Sequence, residues 1–267
     1  MDEPALSGGL TDRVPLMSVQ MVDKVFPGDV VALRNMSLDV REGDFISLLG
    51  PSGCGKSTAL RLVAGLSRPT KGRINWHLPG AAESRSGDIG VVFQEPTLMP
   101  WATVEDNVWL PMRLNGETKF AVRDKILDTL RLVGLEKFAK AYPRELSGGM
   151  KMRVSIARAM VTRPRLILMD EPFAALDEIT RFKLNNDLLE MKDKLGCTVI
   201  FVTHSVFESV FLSDRIVIMA ARPGRVIREL TVDAPYPRDE AFRTSAEYAG
   251  HTRAASDALH EALRDAA

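Results

Sequence analysis

The chain has 267 residues, with 35 Lys and Arg matched by 35 Asp and Glu, and 45% of it is hydrophobic. That composition excludes a disordered chain, and a zero formal charge with no Lys/Arg-rich run excludes a global field that would gather nucleic acid. No apolar run approaches the ~20 residues that a membrane-spanning helix needs. The two cysteines, Cys54 and Cys197, are too few for a disulfide framework and fit a reducing compartment.

In chain order, residues 1–14 are rich in Gly, Ser and Asp and read as a flexible start. The acidic Met1–Ala5 lacks the basic, then apolar, layout of a secretory signal. Residues 16–49 alternate apolar and polar positions, as in Met17-Ser18-Val19-Gln20-Met21-Val22, which predicts antiparallel strands. Phe45–Leu49 reads as a buried strand that runs into a Gly-rich turn and then an apolar helix to Leu66. Ile74 and Ile89–Phe93 mark further strands. From Val104 to Leu146 the pattern turns helical, with Ile126, Leu127, Leu130 and Val133 on one face, as an insert between two parts of a sheet. A helix carrying Met150, Val154, Ala157 and Val161 follows. The segments 165–170, 178–195, 198–202 and 205–212 then alternate strand and helix, the pattern of a parallel sheet with crossover helices. Strands Ile216–Met219 and Val226–Leu230 come next, and 250–267 forms a weakly amphipathic helix through Ala255, Leu259 and Leu263.

Gly50-Pro51-Ser52-Gly53-Cys54-Gly55-Lys56-Ser57 fits Gly-x4-Gly-Lys-Ser/Thr between a strand and a helix. Its glycines let backbone N–H groups converge on phosphate oxygens, and the helix that begins near Lys56 aims its unpaired N–H groups at the same anion. Lys56 supplies a point charge to the β- and γ-phosphates, the Ser57 hydroxyl is a ligand for Mg²⁺, and Thr58 reaches the α-phosphate. Cys54 reads as a small residue that fits the loop. Leu166–Met169 is an apolar strand ending in Asp170-Glu171. Ligand crevices form at the carboxyl ends of parallel strands, so Asp170 faces the Mg²⁺ and Glu171 orients or deprotonates a water. Leu146-Ser147-Gly148-Gly149-Met150 opens another helix, with Ser147 as its cap and two glycines exposing a second anion site. One nucleotide does not need two such helix ends from one chain, so the second serves a different copy.

Together these motifs resemble the ATP-binding subunit of an ATP-binding cassette (ABC) transporter over roughly residues 16–232. Gly50–Ser57 resembles the Walker A loop, Leu166–Asp170 with Glu171 the Walker B strand and its catalytic glutamate, and Leu146–Met150 the family signature. Gln94 resembles the Q-loop glutamine, a catalytic-site residue and a further Mg²⁺ ligand; Ala175-Leu176-Asp177 resembles the D-loop and His204 the switch histidine. Phe26 falls where the family places an aromatic against adenine, usually Tyr, and Met150 and Met152 stand where Gln is commoner. Thr97–Val108 and Ala175–Arg181 are similar to the nitrate/sulfonate/taurine importer branch.

The resemblance implies an α/β P-loop NTPase fold, an ABC-type nucleotide-binding domain with an antiparallel β subdomain, a parallel-sheet core and a helical insert. It places that domain at 15–235, with the helical subdomain at about 104–160 and a helical tail at 236–267. It further implies ATP and Mg²⁺ as ligands, a homodimer in which Ser147, Gly148 and Gly149 cover the ATP of the other copy, integral-membrane permease subunits and a separate solute-binding protein. Nucleic acid is not among the implied partners, and the location is peripheral, on the cytoplasmic face of the membrane. Two other readings are carried beside it: a soluble ABC ATPase acting on nucleic acid or ribosomes, and an unrelated P-loop kinase or GTPase. The single cassette without a basic arm argues against the first, and the two-glycine signature with no Asn-Lys-x-Asp motif argues against the second.

Overall fold

The computed structural model describes residues 13–77 and 88–264. Two strands open the chain, β1 (Pro15–Phe26) and β2 (Val30–Arg41), turned back on each other through Gly28 and Asp29, both at left-handed φ. After β3 (Phe45–Leu49) and α1 (Lys56–Val63), β4 (Lys71–Trp76) pairs with the other edge of β1, giving an antiparallel sheet of order β2-β1-β4. The alternation in 16–49 thus resolves into two 12-residue strands whose register slips between Val19 and Val22. Met21 and Asn35 take left-handed φ, as β-bulges allow.

The second sheet holds β3 at its centre. The remaining strands are β5 (Ile89–Val92), β6 (Leu166–Asp170), β7 (Thr198–Thr203), β8 (Arg215–Ala220) and β9 (Arg225–Thr231), in the order β5-β6-β7-β3-β8-β9. All neighbours are parallel except β8 and β9. Strands β3, β6, β7 and β8 are buried at every position, which is why they read as unbroken apolar runs. Phe45, Phe173 and Phe201 meet within this layer, with ring centroids 6.0 and 5.8 Å apart.

Between β5 and β6 lies the insert: α2 (Val104–Leu114), α3 (Arg123–Leu132) and α4 (Gly148–Met160). The stretch 104–146 is not one helical run. Gly134, at φ +69°, follows α3, and short 3-10 turns occupy Glu136–Phe138 and Pro143–Glu145. α5 (Glu178–Leu195) is capped by Asp177 and ends on Gly196 at φ +62°, and α6 (Val206–Leu212) is capped by Ser205.

At the far end, α7 (Glu240–Arg243) precedes α8 (Ala246–Arg264), which begins four residues earlier than the periodicity predicts. Its buried face is Ala255, Ala258 and Ala262, packed on β8 and α6, whereas Leu263 is 45% exposed. Small side chains let the helix lie close to the sheet, so the alanines go inward. Arg13, in the stretch read as a flexible start, is held by Asp44 at 3.0 Å and Asp214 at 2.9 Å, and residues 1–12 lie outside the described residues. The same two carboxylates meet Arg215 and the Phe45 amide under the amino ends of β3 and β8, opposite the loops described next.

Candidate active site

Strands β6, β7 and β3 are adjacent, and their register is level: Leu49 pairs with Thr203, and Val202 with Asp170. Three loops therefore leave the sheet at one height, carrying Gly50–Ser57, Glu171 and His204.

The first loop wraps a lysine. Lys56 is 4% exposed, and its Nζ donates to the carbonyls of Gly50 (2.8 Å) and Pro51 (3.0 Å). Gly53 and Gly55 sit at φ +76° and +92°, a region that glycine enters without steric penalty. A Cβ on Gly50 would stand 2.5 Å from the Met219 carbonyl oxygen, and one on Gly55 2.7 Å from Leu33, so both positions also exclude side chains by space. Cys54 is fully buried beneath the loop; burial pushes its thiol up, offset only in part by Lys56, so it stays a protonated packing residue.

The acidic strand end meets this loop directly. Ser57 Oγ donates to Asp170 Oδ1 at 2.7 Å, and burial raises the Asp170 carboxyl above the usual range against the lowering effect of that bond. Next door, Glu171 holds φ +45°, a conformation that costs about 1–3 kcal/mol in a non-glycine residue. Its amide is secured to the Val202 carbonyl at 3.0 Å. The strain aims one carboxylate oxygen at Lys56 Nζ (3.8 Å) and the other at His204 Nδ1 (3.2 Å).

Lys56, Ser57 and Glu171 border a cleft of about 480 Å³ that also takes in Phe26, Ser52, Gly53, Gly55 and Thr58; Asp170 and His204 reach it through their contacts with Ser57 and Glu171. Phe26 is 40% exposed, with Lys24 Nζ 5.0 Å from its ring centre. Val30, Val31, Ala32 and Arg222 complete the wall; the sequence reading did not single them out. The Pro223-Gly224 pair signals a turn after β8, but only the strand order brings that turn to the cleft. A hydroxyl and a carboxylate in contact suit Mg²⁺, which takes one or two protein oxygens and completes its shell with water and phosphate. Ser57 and Asp170 fit that ion.

Other expected residues stand apart. Gln94 is exposed on the loop after β5 and does not border the cleft. Arg158 of α4 donates to the Pro96 and Thr97 carbonyls beside it, and buried Asn107 staples Met99, Ala102 and Thr103. Leu146 is buried, while Ser147 and Gly148 are exposed at the start of α4, where Ser147 Oγ accepts from the Met150 amide. A Cβ on Gly149 would lie 2.9 Å from Thr180, and one on Gly148 3.7 Å from Leu176. The signature therefore packs beside Ala175-Leu176-Asp177 of its own chain, and neither segment borders the cleft.

A model of the family described as ABC transporter matches residues 33–174, just over half of the chain. The chain belongs to the ABC transporter family. An uncharacterized ABC transporter ATP-binding protein of Methanocaldococcus jannaschii is 47% identical over 242 residues, 89% of each chain. The nitrate import ATP-binding protein NrtD of Synechocystis is 43% identical over 82% of this chain and 84% of its own. The aliphatic sulfonates import ATP-binding protein SsuB of Bacillus cereus is 42% identical over 84% and 89%. Among solved structures, a dimeric post-hydrolysis state of an ATP-binding cassette bound to ADP and Pi superposes with a TM-score of 0.71. It is 33% identical, covering 82% of this chain and 100% of that one. The two-sheet architecture with its helical insert is that of an ABC cassette, and the chain is an ABC-type ATPase.

Proposed function

We propose that this cassette is the energy-coupling subunit of an importer for a small solute of the nitrate, sulfonate or taurine type, working as a homodimer beneath permease subunits. The observation that carries the ATP chemistry is one connected cluster at the cleft: Lys56, Ser57 and Glu171 border it, and Asp170 and His204 contact Ser57 and Glu171.

In this reading the loop amides and Lys56 hold the phosphates, and Phe26 stacks on the base. Ser57 and Asp170 would hold Mg²⁺, with Gln94 joining on closure, and the ion would supply positive charge to the β- and γ-phosphates. Glu171 turns from Lys56 toward the attacking water and orients or deprotonates it, while His204 donates to the γ-phosphate. Ser147, Gly148 and Gly149 reach the ATP of the other copy, and Ala175-Leu176-Asp177 meets that copy's phosphate loop. The exposure of Ser147, Gly148, Ala175 and Asp177 supports this, since such groups are free to meet a second chain. The dimeric cassette with ADP and Pi supports it by likeness.

The catalytic unit at 15–235, the arm at 104–160 and the tail at 236–267 then divide chemistry, coupling and bracing. A groove of about 330 Å³ between β5 and α2, lined by Ile89, Phe93, Leu110 and Leu114, supports permease docking beside the insert. Among the described residues no helix is long and apolar enough to cross a membrane, and in this reading the permease holds the cassette on the cytoplasmic face. The importer class rests on the relatives named for nitrate and aliphatic sulfonates, and a separate binding protein selects the solute.

Phosphate release by the purified chain with Mg·ATP, compared between the wild type and Lys56→Ala, tests the catalytic part. Turnover that is lost in the variant supports the assignment, and unchanged kinetics overturn it. Co-purification with a polytopic membrane protein tests the coupling part.

A further inference from the structure

Among the described residues, the arginine at the mouth of the cleft has no hydrogen-bond or ion-pair partner. Arg222 is exposed, borders the same cleft as Lys56 and Phe26, and lies in the turn between β8 and β9. Among the described residues the other cation bordering the cleft is Lys56, and it is already engaged by two carbonyls and faces Glu171. A polyphosphate brings several negative charges, so a second cation at the rim has an evident task.

The turn also fixes the backbone that presents Arg222. Gly224 donates its amide to the Ala32 carbonyl at 3.0 Å and accepts from the Arg34 amide at 2.9 Å. It comes so near the phosphate loop that a Cβ there would lie 2.1 Å from the Cys54 carbonyl oxygen. The backbone two residues beyond Arg222 is thus fastened to β2 and to the loop itself. Arg222 takes φ +56°, where glycine would be unstrained and arginine is not. An exposed, unpaired and strained arginine gains nothing for the fold from its guanidinium. Strain of this kind, placed at a ligand cleft, points to a ligand contact.

We propose that Arg222 donates from the β8–β9 turn to the phosphate chain of the bound nucleotide, as a second cation beside Lys56. The inference rests on the ATP-binding reading above. Guanidinium donors match phosphate oxygens in geometry as well as charge. The contact is available to a single copy of the chain, so it raises affinity before any dimer forms.

The test is titration of the full-length chain, at a concentration where it is monomeric, with fluorescent ATP and ADP analogues and with adenosine. The variants are Arg222→Ala, Arg222→Gly and Arg222→Lys, with Lys56→Ala as the control. Loss of one charge-assisted hydrogen bond predicts roughly tenfold weaker ATP and ADP binding for Ala and Gly, a smaller loss for Lys, and unchanged adenosine binding. Arg222→Gly is expected to unfold at higher denaturant while binding ATP less well, a pairing that a purely structural role would not produce. ATP affinities within about twofold of wild type for both Ala and Gly would overturn the proposal. So would an equal loss for adenosine, which would place the contact on the sugar or base. Failure of the wild type to bind ATP, or normal binding by Lys56→Ala, would instead bring down the reading on which it rests.

Discussion

Gly224 is where the antiparallel sheet, the β8–β9 turn and the phosphate loop touch, and Gly224→Ala measures how tightly they do. A Cβ would stand 2.1 Å from the Cys54 carbonyl oxygen and 2.7 Å from that of Ala32, where real Cβ atoms keep 3.0 Å. Both obstacles are backbone, so no side chain can swing away. The turn has to lift by roughly 1 Å, the scale of overpacking that costs about 1–3 kcal/mol. Lifting also stretches the two hydrogen bonds to Ala32 and Arg34, each worth about 1 kcal/mol. The expected destabilisation is about 3–5 kcal/mol, read as a lower urea midpoint with the slope unchanged. Because Cys54 lies in the phosphate loop, ATP affinity should fall as well. Gly250→Ala is the matched control: it is helical, exposed and has nothing within 4 Å, so it should stabilise by about 0.5–1 kcal/mol. A Gly224→Ala chain with a wild-type midpoint and wild-type ATP affinity would refute the coupling of turn to loop.

Ser147→Ala removes the cap of α4 and should cost about 1 kcal/mol of stability, yet abolish most ATP turnover; folded protein with wild-type turnover would remove Ser147 from the partner's site. Asp214 carries a pH signature. Burial works to raise its carboxyl, but Lys192, the Phe45 amide and Arg13 hold it below the ordinary value. A depressed carboxylate contributes stability above its unfolded pKa of about 3.9 and loses it as pH falls through the lower folded value. Asp214→Asn should therefore be less stable at pH 7 and show a flatter loss of stability below about pH 4; parallel acid-unfolding curves would contradict this.

Much of the site is readable from sequence because each part is a local pattern with a local cause. The glycines of 50–55, the apolar strand ending at Asp170 and the Ser147 cap are each fixed by a few neighbouring residues. Arg222 has no such local mark. It borders the cleft only because β8 lies next to β3 and the turn after it folds over the loop. Ala255 on the inward face of α8 is legible in the sequence, but the rest of that face escaped for another reason. Periodicity weighs Leu259 and Leu263 above alanine, whereas close approach to β8 selects Ala255, Ala258 and Ala262. The cluster of half-buried Arg13 with buried Asp44, Asp214 and Arg215 joins residues up to 202 positions apart, beyond any window of sequence. The strain at Glu171 is likewise visible only as a backbone angle.

Glu171→Gln isolates the shared site. The variant keeps the phosphate loop and loses the carboxylate that acts on water, so it should bind ATP without hydrolysing it. Light scattering of this variant with and without Mg·ATP gives the mass directly. The account predicts twice the 29.5 kDa of one chain with ATP, and a single chain without it. A Glu171→Gln chain that binds ATP and stays at 29.5 kDa at every concentration tested would contradict it.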